Sequence, residues 1–344
     1  MTTRMTRAST ILALGLAIGI DAGAASLRVR PMPVPTVSIA RATAGPNGTL
    51  TYLDWKTHRM RVVTARGTET KVDLAIPVAA QVTNIGGGDG QTVVTTAQHG
   101  TFVLGQDGSV RARFPMNRFA PYIAATTDHD FAYGMGSAGD ENGRIRADWF
   151  ITRVDVKAPS AVPRDLVTDI PFGDPFARSI YPLGYLLLSA DRSTLYALWE
   201  GSPMLYVVPT AGGPAHTFAL SEGADAPPRA TPALRASVMA DPNAFYQLRS
   251  KYRWPQGLFR GPNGTVAILF REPASRGNGF TVDVYSREGK KAGATMPLDL
   301  QPRSTTAQAR AVTATDGRQY VIVNEPNGDS SDVKNQSFYA IEIQ

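Results

Sequence analysis

Residues 36–74 read TVSIARATA, GPNG, TLTYLDW, KTH, RMRVVTA, RG and TETKVDL, four β-type runs separated by turn-forming residues. Alternation in TLTYLDW and RMRVV has the period of two expected of strands. Four such strands joined by short turns make one blade of a propeller. The pattern recurs over 81–114, 121–170, 182–220, 254–298 and 309–343. The second strand of each unit is predicted to begin near Thr49, Gln91, Phe131, Thr194, Thr265 and Gln319. These starts lie about 40 to 70 residues apart, against about 40 to 50 for propeller blades without insertions. The fold predicted is all-β, a six-bladed β-propeller of four-stranded antiparallel blades. A β-sandwich, or two smaller all-β domains, is the alternative.

The last unit has only three strands before Gln344, and Leu27–Val34 (LRVRPMPV) is a spare extended segment. The expectation is that this N-terminal strand completes the last blade and closes the ring, removing open edges. Pro31, Pro33 and Pro35 suit an outermost strand, where a missing N–H costs no ladder bond. Gly (32) and Pro (25) are abundant, as many tight turns require. There is no cysteine, which excludes disulfides, thiolate metal sites and cysteine nucleophiles.

Ahead of the first strand, Arg4 and Arg7 precede the apolar run Ile11–Ile20, and small residues follow at Ala22–Ala25. This is the pattern of a secretory signal peptide over 1–25. The apolar run falls short of the roughly 20 residues that a membrane-spanning helix needs. The mature domain is then 26–344, and the location periplasmic or secreted. Loss of Arg4, Arg7 and Asp21 lowers the net charge of +6 by one. That modest excess suits anionic envelope surfaces or plain solubility.

Residues 48–63 (GTLTYLDWKTHRMRVV) resemble a blade of the NHL-repeat family, on Gly48, Asp54, His58, Arg59 and Val62, with Thr57 in place of the usual Asn. GPNGTV at 261–266 repeats GPNGTL at 45–50. The resemblance implies a propeller whose ligands bind on the face carrying the loops between second and third strands and between blades. It implies little about activity, because propellers host lyases, lactonases, sensors and scaffolds.

Six-bladed lactonases and gluconolactonase-like hydrolases hold a divalent cation on the axis through Asp, Asn and Glu oxygens. Residues opening the first strands here are Gln81, Asn84, Tyr122, Tyr185, Gln256 and Arg310. Only Asn84 is a convincing ligand type, and Arg310 repels cations. Asp128-His129-Asp130 has metal-chelating composition but occupies a turn position. Gly86-Gly87-Gly88-Asp89-Gly90 lacks the lysine and helix of a phosphate cradle and reads as a turn. No cofactor is predicted, with calcium the minor alternative.

The main irregularity is an insertion at 221–253. Asp241-Pro242 signals a helix start, and Phe245, Leu248 and Tyr252 form an amphipathic stripe. A lid over the axial pocket and a segment packed on a blade edge are equally open readings. Candidate contact residues are Trp55, Tyr122, Arg146, Tyr252, Arg253, Trp254 and Gln256. The function expected is binding of an envelope or extracellular peptide, protein or glycan, without catalysis and without nucleic acid. The alternative is a lactonase-type hydrolase or lyase using an axial cation.

Overall fold

The computed structural model describes residues 26–32, 39–44, 50–54, 59–63, 69–73, 76, 82–88, 91–96, 99–114, 124–139, 145–158, 164–170, 180–181, 183–202, 204–220, 226–300, 307–313, 318–325 and 335–343. Residues 1–25, read above as a signal peptide, lie outside them. No described helix is long and apolar enough to cross a membrane.

The chain opens with β1 (Leu27–Met32). The first sheet contains β2 (Ile39–Ala44), β3 (Leu50–Asp54), β4 (Arg59–Val63) and β5 (Glu69–Asp73). The second contains β6 (Val82–Gly88), β7 (Gln91–Thr96), β8 (Gly100–Leu104) and β9 (Val110–Phe114). In the third are β10 (Ala124–Thr127), β11 (Phe131–Gly139), β12 (Ile145–Asp155) and β13 (Arg164–Ile170). The fourth follows with β14 (Gly184–Leu188), β15 (Thr194–Trp199), β16 (Met204–Pro209) and β17 (His216–Ala219). Helices α1 (Pro232–Ala240) and α2 (Pro242–Lys251) intervene before β18 (Trp254–Arg260), β19 (Val266–Arg271), β20 (Phe280–Tyr285) and β21 (Met296–Leu298) of the fifth. Finally β22 (Gln308–Thr313), β23 (Gln319–Glu325) and β24 (Asn335–Ile343) join β1 in the order β1-β24-β23-β22.

All these sheets are four-stranded and antiparallel, and the architecture is a β-propeller. The first strands of successive sheets adjoin, β2 to β6, β6 to β10, and onward to β22, which returns to β2. Leu27 pairs with Ile343 and Met32 with Phe338, so the two ends of the chain meet in one sheet. Second strands begin at Leu50, Gln91, Phe131, Thr194, Val266 and Gln319, each within one residue of the position expected from the turn pattern.

The core lies between sheets. Along β19, Val266, Ile268 and Phe270 pack on Leu187, Leu198 and Leu205 of the fourth sheet. The alternate residues Ala267 and Leu269 pack instead with Val321, Val323 and Ile341 of the sixth. Both faces are dry, which is why VAILFR reads as a continuous apolar run rather than as alternation. A third cluster joins Tyr133 and Ile151 to Leu195, Trp199 and Val208, and takes in Leu248 and Trp254 at the helical insertion.

Two details differ from the sequence reading. Gly86, Gly87 and Gly88 are not in a turn; they belong to β6. A Cβ on Gly86 would sit 1.8 Å from the Ala125 carbonyl oxygen, so the glycine lets β6 close on β10. Tyr252 caps the C-terminus of α2 with extended backbone instead of continuing its stripe, though it still packs on the cluster around Trp254.

Truncating Ile268 or Leu269 to alanine should cost about 2–5 kcal/mol, because each is wholly buried between sheets. Gly257→Ala is expected to cost at least about 2 kcal/mol, since its φ is +150° and a Cβ would meet the Ala311 backbone nitrogen at 2.7 Å. Urea denaturation of the purified variants checks both values.

Candidate functional site

The first strands enclose an axial cavity of ≈ 120 Å³, walled by β6, β10, β14, β18 and β22. Its lining runs to Asp128, Ala190, Arg192 and Thr313, residues at the turns between first and second strands. The cavity therefore extends to the face of tight turns, opposite the loop-rich face expected to hold ligands.

Three arginines line it: Arg192, Arg260 and Arg310. Arg192 sits at the mouth in the Asp191-Arg192-Ser193 turn, with left-handed backbone at φ 59°. Asp191 shapes that turn, accepting from Ser189 Oγ at 2.5 Å and from the Ser193 N–H at 3.2 Å. Arg260 donates from Nε to the Leu188 carbonyl at 2.9 Å, tying β18 to β14. Arg310, on β22, is half-buried, and part of its surface reaches the cavity. Burial disfavours its charge and draws its pKa below the usual arginine value, with Tyr185 nearby opposing the shift. An arginine nonetheless stays protonated in proteins, so the cavity wall carries a cation.

Among the described residues the carboxylate in the lining is Asp128, and it is bonded within its own turn. Its Oδ1 accepts from the N–H groups of Asp130 (2.8 Å) and Phe131 (2.6 Å), and Oδ2 accepts from the Tyr133 hydroxyl (3.1 Å). These bonds make Asp128 the keystone of the turn it opens, while the His129 side chain beside it is largely exposed. Among the described residues no group of three His, Asp or Glu side chains could hold a metal ion. Asn84 lies in β6, and Gln81 and Tyr122 lie outside the described residues.

Above the cavity, on the loop-rich side, β18 bulges between Pro255 and Gly257. The extra residue, Gln256, is buried. Its Nε2 donates to the Pro255 carbonyl at 3.1 Å and its Oε1 accepts from the Ala309 N–H at 3.0 Å. The Tyr185 hydroxyl donates to the same Pro255 carbonyl at 3.2 Å. Burial pushes the Tyr185 pKa up, so it remains a neutral donor. Gln256 and Tyr185 thus narrow the axis where the sequence reading placed ligand oxygens.

The remaining candidates separate clearly. Trp55 lies outside the described residues; Arg146 lies in β12, with only its backbone described. Arg253 is the hub of a buried ion network. Its Nε donates to Glu272 Oε1 and its NH1 to Asp283 Oδ2, each at 2.7 Å, and NH2 reaches Thr281 Oγ1 at 3.0 Å. Its guanidinium also lies 3.9 Å from the Phe270 ring centroid. Trp254 is 1% exposed, its ring 5.5 Å from that of Tyr181. Sequence reasoning missed the pair formed by Glu200 and Arg249 (2.5 Å), which ties α2 to the end of β15. Glu200 is wholly buried; burial raises its pKa while Arg249 and the Leu183 N–H pull it down. The signal for the pair was present in Arg249 on the polar side of α2, but its partner stands 49 residues away.

Asp283→Asn should destabilise the fold by about 3–5 kcal/mol, because it strands Arg253 with one fewer buried partner. Arg253, Thr295 and Lys291 outweigh burial and hold the Asp283 pKa below its ordinary 3.8. Its ionised form therefore stabilises above that pH, and the contribution fades as pH falls through the depressed folded value. Chemical denaturation of wild type and variant should show their gap shrinking under acid.

No family model matches the chain, and no curated protein sequence does. Solved structures are similar across nearly the whole length. One is a calcium-binding protein, regucalcin, from Agrobacterium tumefaciens, at 15% identity over 90% of this chain and 92% of that one, with a TM-score of 0.51. Another is a member of the duf4221 family from Bacteroides vulgatus, at 9% identity, 94% and 99% coverage and a TM-score of 0.56. A third is the PQQ-bound aldose sugar dehydrogenase of Streptomyces coelicolor, at 13% identity, 93% and 98% coverage and a TM-score of 0.54. At such identities the likeness establishes the β-propeller fold and nothing finer.

Proposed function

We propose that the mature chain is an exported, six-bladed propeller, closed by β1, that binds the anionic end of an oxygen-rich ligand in its axial cavity. The ligand class is a sugar acid, free or as the acidic terminus of an envelope glycan. The observation that carries this reading is Arg310 on the axis, joined by Arg192 and Arg260, with the Asp128 carboxylate turned into its own backbone. Guanidinium–carboxylate bonds are shorter and stronger than neutral ones. A cavity of about 150 Å³ accepts a benzene-sized molecule, so ≈ 120 Å³ suits the few heavy atoms of a hydroxy-acid head. Periplasmic or secreted placement rests on the signal-peptide pattern.

A hydrolase acting on lactones is the second reading. It is favoured by a similar structure titled a putative gluconolactonase, at 11% identity, 92% coverage of each chain and a TM-score of 0.51. The regucalcin likeness points the same way. The arginines weigh against its cation-dependent form, because a divalent ion beside Arg310 would be repelled. They suit its product, since opening a sugar lactone yields a hydroxy acid.

A thermal-shift series with gluconate, gluconolactone, calcium chloride and EDTA separates the readings. Gluconate should raise the melting temperature, and Arg310→Gln should weaken that response by about 10- to 100-fold in concentration. A rise with calcium that EDTA reverses, with no response to gluconate, would overturn the proposal in favour of the cation-dependent enzyme. Hydrolysis of gluconolactone above the buffer rate that is lost in Arg310→Gln would establish catalysis.

A further inference from the structure

The axial cavity has a depth, a closed end and an open one. β22 lines it from Arg310 to Thr313 and β10 from Ala124 to Thr127, three residue steps each. At about 3.3 Å per step the cavity runs about 10 Å along the axis. Its inner end meets buried Tyr185 and Gln256. The Tyr185 hydroxyl donates to the Pro255 carbonyl, and Gln256 Oε1 accepts from the N–H of Ala309, the residue before Arg310. Arg310 therefore stands beside the floor that these residues form. At the other end lie Ala190 and Arg192, both exposed, in the turn between β14 and β15.

Shape then limits what can enter. Gly86 and Gly88 bring β6 so close to β10 that a Cβ on either would press on the Ala125 or Thr127 carbonyl oxygen, at 1.8 and 2.5 Å. The ≈ 120 Å³ left between the strands, drawn out over about 10 Å, is a slot one extended chain wide. A compact cavity of about 150 Å³ is what a benzene-sized ring occupies. A pyranose uronic acid carries its carboxylate directly on a ring carbon, so reaching the floor takes the ring into the slot. Gluconate carries its carboxylate at the end of an open chain. That end can stand at Arg310 while the rest of the chain lies toward Arg192.

We infer that the axial cavity is a blind well, entered from the tight-turn face, that takes free open-chain hydroxy acids carboxylate-first and excludes ring-form acids. The charge of the ligand's leading end rests on the anion reading proposed above; entry face and shape selection rest on strand geometry. Of the two sources named there, a free sugar acid and the terminus of an envelope glycan, the well favours the first. Helix α2 stands beyond the floor, where Tyr246 and Gln256 line one small space, and has no part in admission. Ala190, exposed at the rim, is where a larger side chain would meet an entering ligand without disturbing the core.

Calorimetric titration of the mature chain at neutral pH with sodium gluconate and with sodium glucuronate tests this. Gluconate should bind at least about tenfold more tightly, because a ring forced into the slot overpacks it. Ala190→Trp should weaken gluconate binding by about tenfold or more by obstructing the rim. Ala190→Glu, a second variant, places a like charge there and should weaken it most at low salt. Melting curves without ligand show whether each variant is folded. Tyr246→Ala, at the opposite end, should leave the affinity unchanged. Equal or tighter binding of glucuronate would overturn the shape selection. Gluconate affinity unmoved by both Ala190 variants, or weakened by Tyr246→Ala, would overturn entry from the turn face. Either result would leave the Arg310 reading standing, whereas failure of wild type to bind gluconate would overturn that reading and the well together.

Discussion

A Cβ on Gly86 would lie 1.8 Å from the Ala125 carbonyl oxygen, one on Gly88 2.5 Å from that of Thr127, and one on Gly257 2.4 Å from the Ala311 side chain. Glycine at these places lets neighbouring first strands approach closer than any side chain would permit. That approach sets the bore of the axis. In the ring as built, the first strands leave ≈ 120 Å³, and whatever lines that space acts at low dielectric. The sign of the charge there, positive through Arg310, follows from sequence; its strength follows from the glycines.

The same narrowness explains why three polar residues near the axis are committed to protein partners. Tyr185, Gln256 and Asp128 all carry groups that water would otherwise satisfy, and each finds protein partners instead. Unmade bonds at that depth would cost about as much as a core truncation. The helical insertion is not a loosely appended loop. Thr231 and Asp241 cap its helices through their own side chains, Leu248 and Trp254 enter the core, and Arg253 is clamped by two carboxylates.

Much of the fold was readable from residue order because blades are local. Strand alternation, and turns such as GPNG and Asp191-Arg192-Ser193, place the second strands within one residue. Asp241-Pro242 gave the start of α2 for a purely local reason, a side-chain cap followed by a residue that needs no N–H. Helix α1 was harder to see, since ALRASVMA has small and apolar residues without a clear stripe. Gly86–Gly88 misled because glycine marks turns and close approaches alike, and only the neighbouring strand distinguishes them. The site was less readable for the same reason. Arg253 and Trp254 looked like contact residues on a loop face, yet their partners Glu272, Asp283 and Tyr181 come from distant segments. Arg310 could be placed on the axis from its blade register, whereas Arg192 and Arg260 join it only in three dimensions.

The central claim is that the axis of this propeller is an anion site governed by Arg310. Anomalous diffraction from crystals of the mature chain soaked separately in bromide and in manganese tests it most directly. The account predicts a bromide peak in the axial cavity within hydrogen-bonding reach of Arg310, and no manganese there. A manganese peak on the axis, with bromide absent from the cavity, would contradict it.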